Sequence, residues 1–273
     1  MISALIVAYI AYVFVGILSG LLSVLLGISG GLITVPCLFA IFYFLDYPQA
    51  YLMHLAIGTS LAAMVFNSFY FAWVHNRDSM VLWDIFKMMV PGAILGAIAG
   101  AYLASLFSGI VLELLFGVGA VLLGARFLFT KRKWEEGEHP ITNFTKLSGA
   151  GFLISAVSNL LGVGGGMFIV PTLLYFRVGE QKVIGTTAAV SFVISFLGAA
   201  SYLYFGRGAT SIEYTLGYIN LPAFIVIGAV SFFAVRYGLN RYGLKFIQKS
   251  EPGVARKFFG GALMITGLLM LFL

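Results

Sequence analysis

The sequence predicts an all-α polytopic membrane protein built from two inverted-topology repeats, each a glycine-broken helical hairpin followed by three transmembrane helices. Three observations carry this reading. Of 273 residues, 61% are apolar and only 10% are charged, against about 25% in an ordinary soluble domain. Seven stretches are long and apolar enough to cross a bilayer. The chain also contains a diverged copy of itself. The first observation excludes a soluble enzyme, because too little charge remains to cover a water-exposed surface. Nucleic-acid binding is excluded as well: the net charge of +6 is concentrated in short runs, as in the loops of membrane proteins.

A spanning helix needs about 20 mostly apolar residues to cross roughly 30 Å of hydrocarbon. Segment 4–26 is the first. No Lys or Arg precedes it and no small-residue cleavage pattern follows it, so it reads as a mature helix rather than a signal peptide. The run Gly27-Ile28-Ser29-Gly30-Gly31 separates it from 32–45, which is too short to cross comfortably. Segments 51–74, 84–107 and 109–129 complete a first repeat, 1–129. A cytoplasmic linker, 130–145, carries Lys131, Arg132 and Lys133, then Glu135, Glu136 and Glu138. The second repeat, 146–273, opens on two short arms, 146–161 and 167–177, around Gly162-Val163-Gly164-Gly165-Gly166. The second arm would be about 17 Å long at 1.5 Å per residue. Segments 183–205, 215–236 and 254–273 follow as full crossings.

The repeat is visible residue by residue. Ser23 to Pro36 matches Ser158 to Pro171 at an offset of 135 without a gap. Ile57-Gly58-Thr59-Ser60 matches Ile184-Gly185-Thr186-Thr187, after a loop eight residues shorter in the second copy. Val90-Pro91 aligns with Leu221-Pro222, each read as opening a helix.

Basic residues orient the array, since cytoplasmic loops collect Lys and Arg. The linker and the loop carrying Arg236, Arg241, Lys245, Lys249, Arg256 and Lys257 are expected inside. Between them 183–205 and 215–236 supply two crossings, so the arms 146–161 and 167–177 contribute zero or two, as a re-entrant hairpin or as two short crossings. Both termini then face the periplasm, and 15 of the 16 Lys and Arg fall inside, leaving Arg207 outside. The first copy starts outside and the second inside, the inverted arrangement of many secondary transporters.

Several residue groups offer chemistry. In a bilayer, non-helical backbone persists where it is buried in protein or lines a cavity. After each glycine run a short helix begins, whose first N–H groups lack intrahelical partners and, with the helix dipole, favour an anion. Two inverted copies would aim two such N-termini at one midplane volume. Ser29, Gly30, Gly31, Gly164, Gly165 and Gly166 are the candidate backbone donors. Thr59, Ser60, Thr186 and Thr187 are candidate hydroxyl ligands, with Thr34 and Asn159 nearby. Ser23 and Ser158 also flank the runs. Asn67, Ser191 and Ser195 read first as helix–helix hydrogen-bonding groups, and Gly100, on the long segment 84–107, as packing away from the runs. His54 and His75 fall near predicted helix ends and are expected to be wet. No Asp or Glu lies in the middle of a long helix, whereas proton- and sodium-coupled carriers usually hold an intramembrane carboxylate. Cys37 is alone, no metal-ligand set or cofactor motif is present, and no catalytic motif gives an enzyme a foothold. A site of backbone N–H groups and hydroxyls suits a small oxyanion.

The doubled glycine run, each followed five residues later by proline (Gly31 to Pro36, Gly166 to Pro171), resembles the TauE/SafE sulfite exporter family over essentially the whole chain. The second copy is the cleaner match; the first has Ser29 where the second has Gly164. The resemblance implies a multi-pass transporter of the bacterial inner membrane. Its partners would be a small sulfur oxyanion or organosulfur anion and the lipid bilayer, and a homo-oligomer is compatible with it. Export of sulfite or a related sulfonate is the expected function. Organosulfonate uptake, an anion channel and a membrane scaffold are the rivals.

Overall fold

The computed structural model describes residues 2–26, 30–129, 143–208, 212–249 and 252–272. Its helices are α1 (Ile2–Leu26), α2 (Gly31–Phe44), α3 (Leu52–Arg77), α4 (Trp83–Leu106), α5 (Gly109–Phe129), α6 (Phe144–Leu161), α7 (Gly166–Tyr175), α8 (Glu180–Phe205), α9 (Leu221–Lys249) and α10 (Pro252–Phe272). Among the described residues, seven helices are long and apolar enough to cross a membrane. The fold is that of an all-α polytopic membrane protein. Ser29 and the linker cluster Lys131-Arg132-Lys133 lie outside the described residues.

Lipid is as apolar as leucine, so small residues rather than an amphipathic stripe decide which helices meet. Gly92, Gly96 and Gly100 of α4 lie on Ser148, Phe152 and Ala156 of α6, at a constant offset that makes the two helices parallel. Gly16 and Gly20 of α1 lie on Val230 and Ala234 of α9, again parallel. Gly117 and Gly124 of α5 meet Leu271 and Met264 of α10 in the antiparallel sense. A side chain at Gly100 would enter the backbone of Ala156, one turn before Asn159. The expectation that Gly100 packs away from the glycine runs is therefore corrected. It sits on the helix that leads into one of them.

Helices α3 and α8 form the inner pair, with 72% and 67% of their spanning residues buried against 33% for α1, α5 and α9. Beside them, α6 and α7 make a hairpin. Leu147 near its start and Phe176 just past its end share one apolar cluster with Ile85 of α4 and Val183 of α8. Its turn stands against Ile194, halfway along α8. The hairpin therefore begins and ends at the same end of the bundle. The 10 residues of α7 reach only about 15 Å at 1.5 Å per residue, half a bilayer core.

Two sequence expectations fail at helix starts. Segment 215–220 is not helical: β1 (Thr215–Leu216) and β2 (Ile219–Asn220) pair antiparallel across Gly217, whose φ of +57° suits glycine. Helix α9 begins only at Leu221, with Pro222 in its first turn, where a missing N–H costs nothing. Pro91, by contrast, lies inside α4. The pairing of Val90-Pro91 with Leu221-Pro222 as two helix openings is thus wrong.

Basic groups separate by end. The Lys182 ammonium donates to the Ser79 carbonyl, which brings the turn after α3 and the start of α8 together near Arg77 and Arg177. Tyr51 stands 6.3 Å from Tyr218 at the opposite end, where Arg207 follows α8.

Candidate functional site

The two glycine breaks touch. A Cβ built on Gly31 would stand 2.6 Å from the Gly162 carbonyl oxygen and 2.7 Å from the Met64 sulfur. The same Gly162 oxygen accepts from Ser60 Oγ at 3.1 Å. Gly162 closes α6 with φ +70°, and Gly165 precedes α7 with φ +85°; both angles lie in the left-handed region where a Cβ is strained. Gly30 differs, with φ −70°. Close approach to Ser19, not a left-handed turn, demands glycine there.

Each break opens a helix. Ile33 and Thr34 N–H donate to Gly30 O, and Phe168 and Ile169 N–H donate to Gly165 O. The N–H groups of Gly31 and Leu32, and of Gly166 and Met167, precede those ladders, as the first donors of a helix do. A helix therefore begins at each run, and the start of α2 lies against Gly162, four residues before α7.

The predicted hydroxyls divide into two kinds. Thr34 Oγ1 donates to Gly30 O at 3.1 Å and reaches Ser19 Oγ at 3.2 Å, tying α2 to α1. Thr59 Oγ1 accepts the Asn220 N–H at 2.9 Å, and Thr186 Oγ1 accepts the Leu82 N–H at 3.0 Å. Each of these threonines thereby fixes the residue that leads into a helix of the opposite half. Thr187 is different: its hydroxyl is buried and unpartnered.

Buried polar atoms normally find a partner, and leaving one without costs about 1–3 kcal/mol. Among the described residues, eight buried side-chain polar atoms have none, and six lie on α6 and α8: Ser155 Oγ, Ser158 Oγ, Asn159 Oδ1, Thr187 Oγ1, Ser191 Oγ and Ser195 Oγ. Spacings of three and four residues put each set on one helix face. Those faces meet: Asn159 lies against Gly198, and Ser158 Oγ stands 3.7 Å from where a Gly165 side chain would begin. Ser155 was not singled out from sequence. The signal available was its place three and four residues before Ser158 and Asn159.

Matching contacts lie at the two ends above the breaks. Tyr218 of the hairpin lies on Gly58 of α3, and Met80 of the turn before α4 lies on Gly185 of α8. Tyr218 is 5% exposed, and burial pushes its phenol above the ordinary range. Its ring also covers His54 at 4.7 Å. The expectation of wet histidines is corrected: His54 is 3% exposed and His75 0%. His54 Nε2 bonds the Ala104 carbonyl at 3.1 Å and His75 Nδ1 the Phe71 carbonyl at 2.8 Å.

Comparison with known proteins adds a family. The model of the family described as sulfite exporter TauE/SafE matches residues 12–270. A probable membrane transporter protein of Haemophilus influenzae is 33% identical over 226 residues, 82% of this chain and 85% of its own length. Another, of Methanocaldococcus jannaschii, is 24% identical over 267 residues, 95% and 94% of the two chains. A third, of Bacillus subtilis, is 22% identical over 218 residues, 73% and 80%. No solved structure matches.

Proposed function

We propose that this chain, which belongs to the TauE/SafE sulfite exporter family, exports a small sulfur-containing oxyanion, sulfite or a close relative, through a site between its two glycine breaks. That it is a membrane transporter rests on the family and on the relatives' description; the substrate, the direction and the site are this proposal. The observation that carries the site is the meeting of Gly31 with the Gly162 carbonyl beside the middle of α3. Gly30, Gly31, Gly164, Gly165 and Gly166 supply backbone N–H groups, with Thr187 and Asn159 around them, while the Ser60 hydroxyl, given to the Gly162 carbonyl, ties the two breaks together. Thr34, Thr59 and Thr186 hold the frame.

The same contacts support two inverted repeats, 1–129 and 146–273. Helix α1 packs on α9 as α6 packs on α4, and α5 pairs with α10. Gly58 and Thr59 meet Tyr218 and Asn220 as Gly185 and Thr186 meet Met80 and Leu82. In an alternating-access cycle the contacts of Tyr218 on Gly58 and of Met80 on Gly185 open in turn. A transmembrane potential that is negative inside drives an anion outward, which fits the absence of carboxylates from the middle of the described helices. The test is flux. Purified protein in liposomes loaded with labelled sulfite should release it saturably, with faster exchange against external sulfite. Absence of any sulfite flux at a rate above protein-free liposomes would overturn the reading.

A further inference from the structure

The six unpartnered polar atoms are not shared between the halves. At the sequence offset of 127 that relates Ile57-Gly58 to Ile184-Gly185, Thr187, Ser191 and Ser195 of α8 correspond to Ser60, Met64 and Ser68 of α3. Ser60 Oγ is spent on the Gly162 carbonyl, and Ser68 Oγ on the Met64 carbonyl. The Met64 thioether lies beside Gly31, at the start of α2. In the first half the polar face is thus bonded internally or replaced by a large apolar side chain. In the second, three hydroxyls on α8 and two on α6 remain free to donate, Ser158 among them beside Gly165 at the start of α7.

Donors dominate this seat, and its acceptor is equally defined. Asn159 Nδ2 donates to the Ala97 carbonyl of α4 at 3.0 Å, which fixes the amide so that Oδ1 is the atom left over. Its own backbone carbonyl is already taken by the Tyr202 hydroxyl at 3.0 Å. Asn159 Oδ1 is 0% exposed with the rest of its residue and has no donor. A ligand seated between these faces therefore accepts hydrogen bonds from the hydroxyls it reaches and donates one to Asn159 Oδ1. Nor does the seat hold a cation: α7 carries no charged residue, and the basic groups of α4, α6 and α8 (Lys87, Lys146 and Lys182) stand within five residues of their helix starts. One negative charge can be held by the hydroxyls and the helix N-terminus, whereas a second would be buried uncompensated.

We infer that the side chains that bind the ligand all come from the second repeat, from the facing sides of α6 and α8 that carry Ser155, Ser158, Asn159, Thr187, Ser191 and Ser195, and that the site selects a singly charged oxyanion bearing one hydrogen-bond donor. The inference rests on the anion-transport reading above. Within the sulfur anions it means hydrogensulfite rather than the sulfite dianion, sulfate, or a sulfonate without a donor.

The test is binding to the full-length protein in detergent at mildly acid pH, with hydrogensulfite, methanesulfonate and sulfate as probes. Hydrogensulfite should bind at least tenfold more tightly than either of the others, since the loss of a hydrogen bond to a charged or buried group costs roughly tenfold or more. Ser191→Met, which copies Met64 into the seat, should abolish binding, and Thr187→Val should weaken it roughly tenfold. Ser68→Ala, at the bonded counterpart of Ser195, should leave affinity within about twofold. In Asn159→Leu the preference of hydrogensulfite over methanesulfonate should collapse. Tight hydrogensulfite binding that Ser191→Met and Thr187→Val leave as intact as Ser68→Ala does would overturn the seat and leave the transport reading standing. Equal binding of all three probes by the wild type would overturn the selectivity. If hydrogencarbonate binds instead, with the same variant pattern, the seat stands and the sulfur reading falls; binding of none of the four overturns both.

Discussion

The Ser60 hydroxyl donates to the carbonyl of Gly162 at 3.1 Å, joining residues 102 positions apart. It links the inner helix of one half to the turn of the other half's hairpin, where Gly31 also closes in. Ser60→Ala leaves that carbonyl buried without its donor, at a cost of about 1–3 kcal/mol. The expected result is a lower melting temperature for the purified protein and slower flux. A variant as stable as wild type would mean that the two halves are not coupled at this point.

Gly165→Val and Gly30→Val should both damage anion binding, for different reasons. At Gly165 a β-branched residue must take φ +85° with Ile194 2.6 Å from its Cβ. Left-handed backbone alone costs about 1–2 kcal/mol for an L-residue. At Gly30 the backbone is unstrained and the clash is with Ser19 of α1. Equilibrium binding on monodisperse protein should fall tenfold or more, roughly the cost of one charge-assisted donor. Wild-type affinity in both would remove the helix-terminus site. Gly100→Val is no neutral control for this series, because its side chain would enter α6 at Ala156.

Much of this was legible in the sequence because bilayer physics writes in long words. A span of about 20 apolar residues is unmistakable, and the Gly162 to Pro171 run stands out because its copy lies 135 residues earlier. What escaped depends on contacts between distant segments. Tyr218 reads as one more apolar residue of a helix until Gly58 and Tyr202 are seen beneath it. The same contact dries His54, which sequence position alone placed at a wet helix end. Ser155, Ser191 and Ser195 look like ordinary helix hydroxyls, since a membrane serine usually bonds its own i−4 carbonyl. Only the missing bond distinguishes them, and that is a property of the packing.

Topology is open to a direct check. In a Cys37→Ala background, Arg132→Cys and Ile247→Cys are expected on the cytoplasmic side, with Lys131 and Lys245, and Arg207→Cys on the periplasmic side. An impermeant thiol reagent applied to intact spheroplasts should modify only Arg207→Cys. Rapid labelling of either of the first two would overturn the inverted arrangement.

The driving force of the proposed export is open to test with an imposed potential. A membrane potential is worth about 2.3 kcal/mol per elementary charge per 100 mV. In proteoliposomes, the logarithm of the efflux rate of a singly charged anion should rise roughly linearly with an imposed potassium diffusion potential. Efflux that ignored the potential and tracked a pH gradient would point to a proton carrier, with the buried His54 and His75 as the first residues to replace.

Thr186 and Thr187 are adjacent, equally buried at 0% and 1% exposure, and should respond oppositely to the same substitution. Thr186 Oγ1 accepts the Leu82 N–H at the entrance to α4. Thr186→Val leaves that N–H without its partner while keeping the side-chain volume nearly constant, which should cost about 1–3 kcal/mol of stability. The loss should appear as a lower melting temperature with affinity little changed, because the hydroxyl faces the turn and not the seat. Thr187 Oγ1 has no partner. Thr187→Val removes a buried, unsatisfied group, so the ligand-free protein should be as stable as wild type or more so. Its cost falls on binding and shows only as a loss of the melting-temperature rise that ligand produces, since a ligand at free concentration L that binds the folded state stabilises it by RT ln(1 + L/Kd). Thermal unfolding of both variants, with and without hydrogensulfite, separates a residue that holds the frame from one that holds the anion. Identical shifts in the two would erase that distinction.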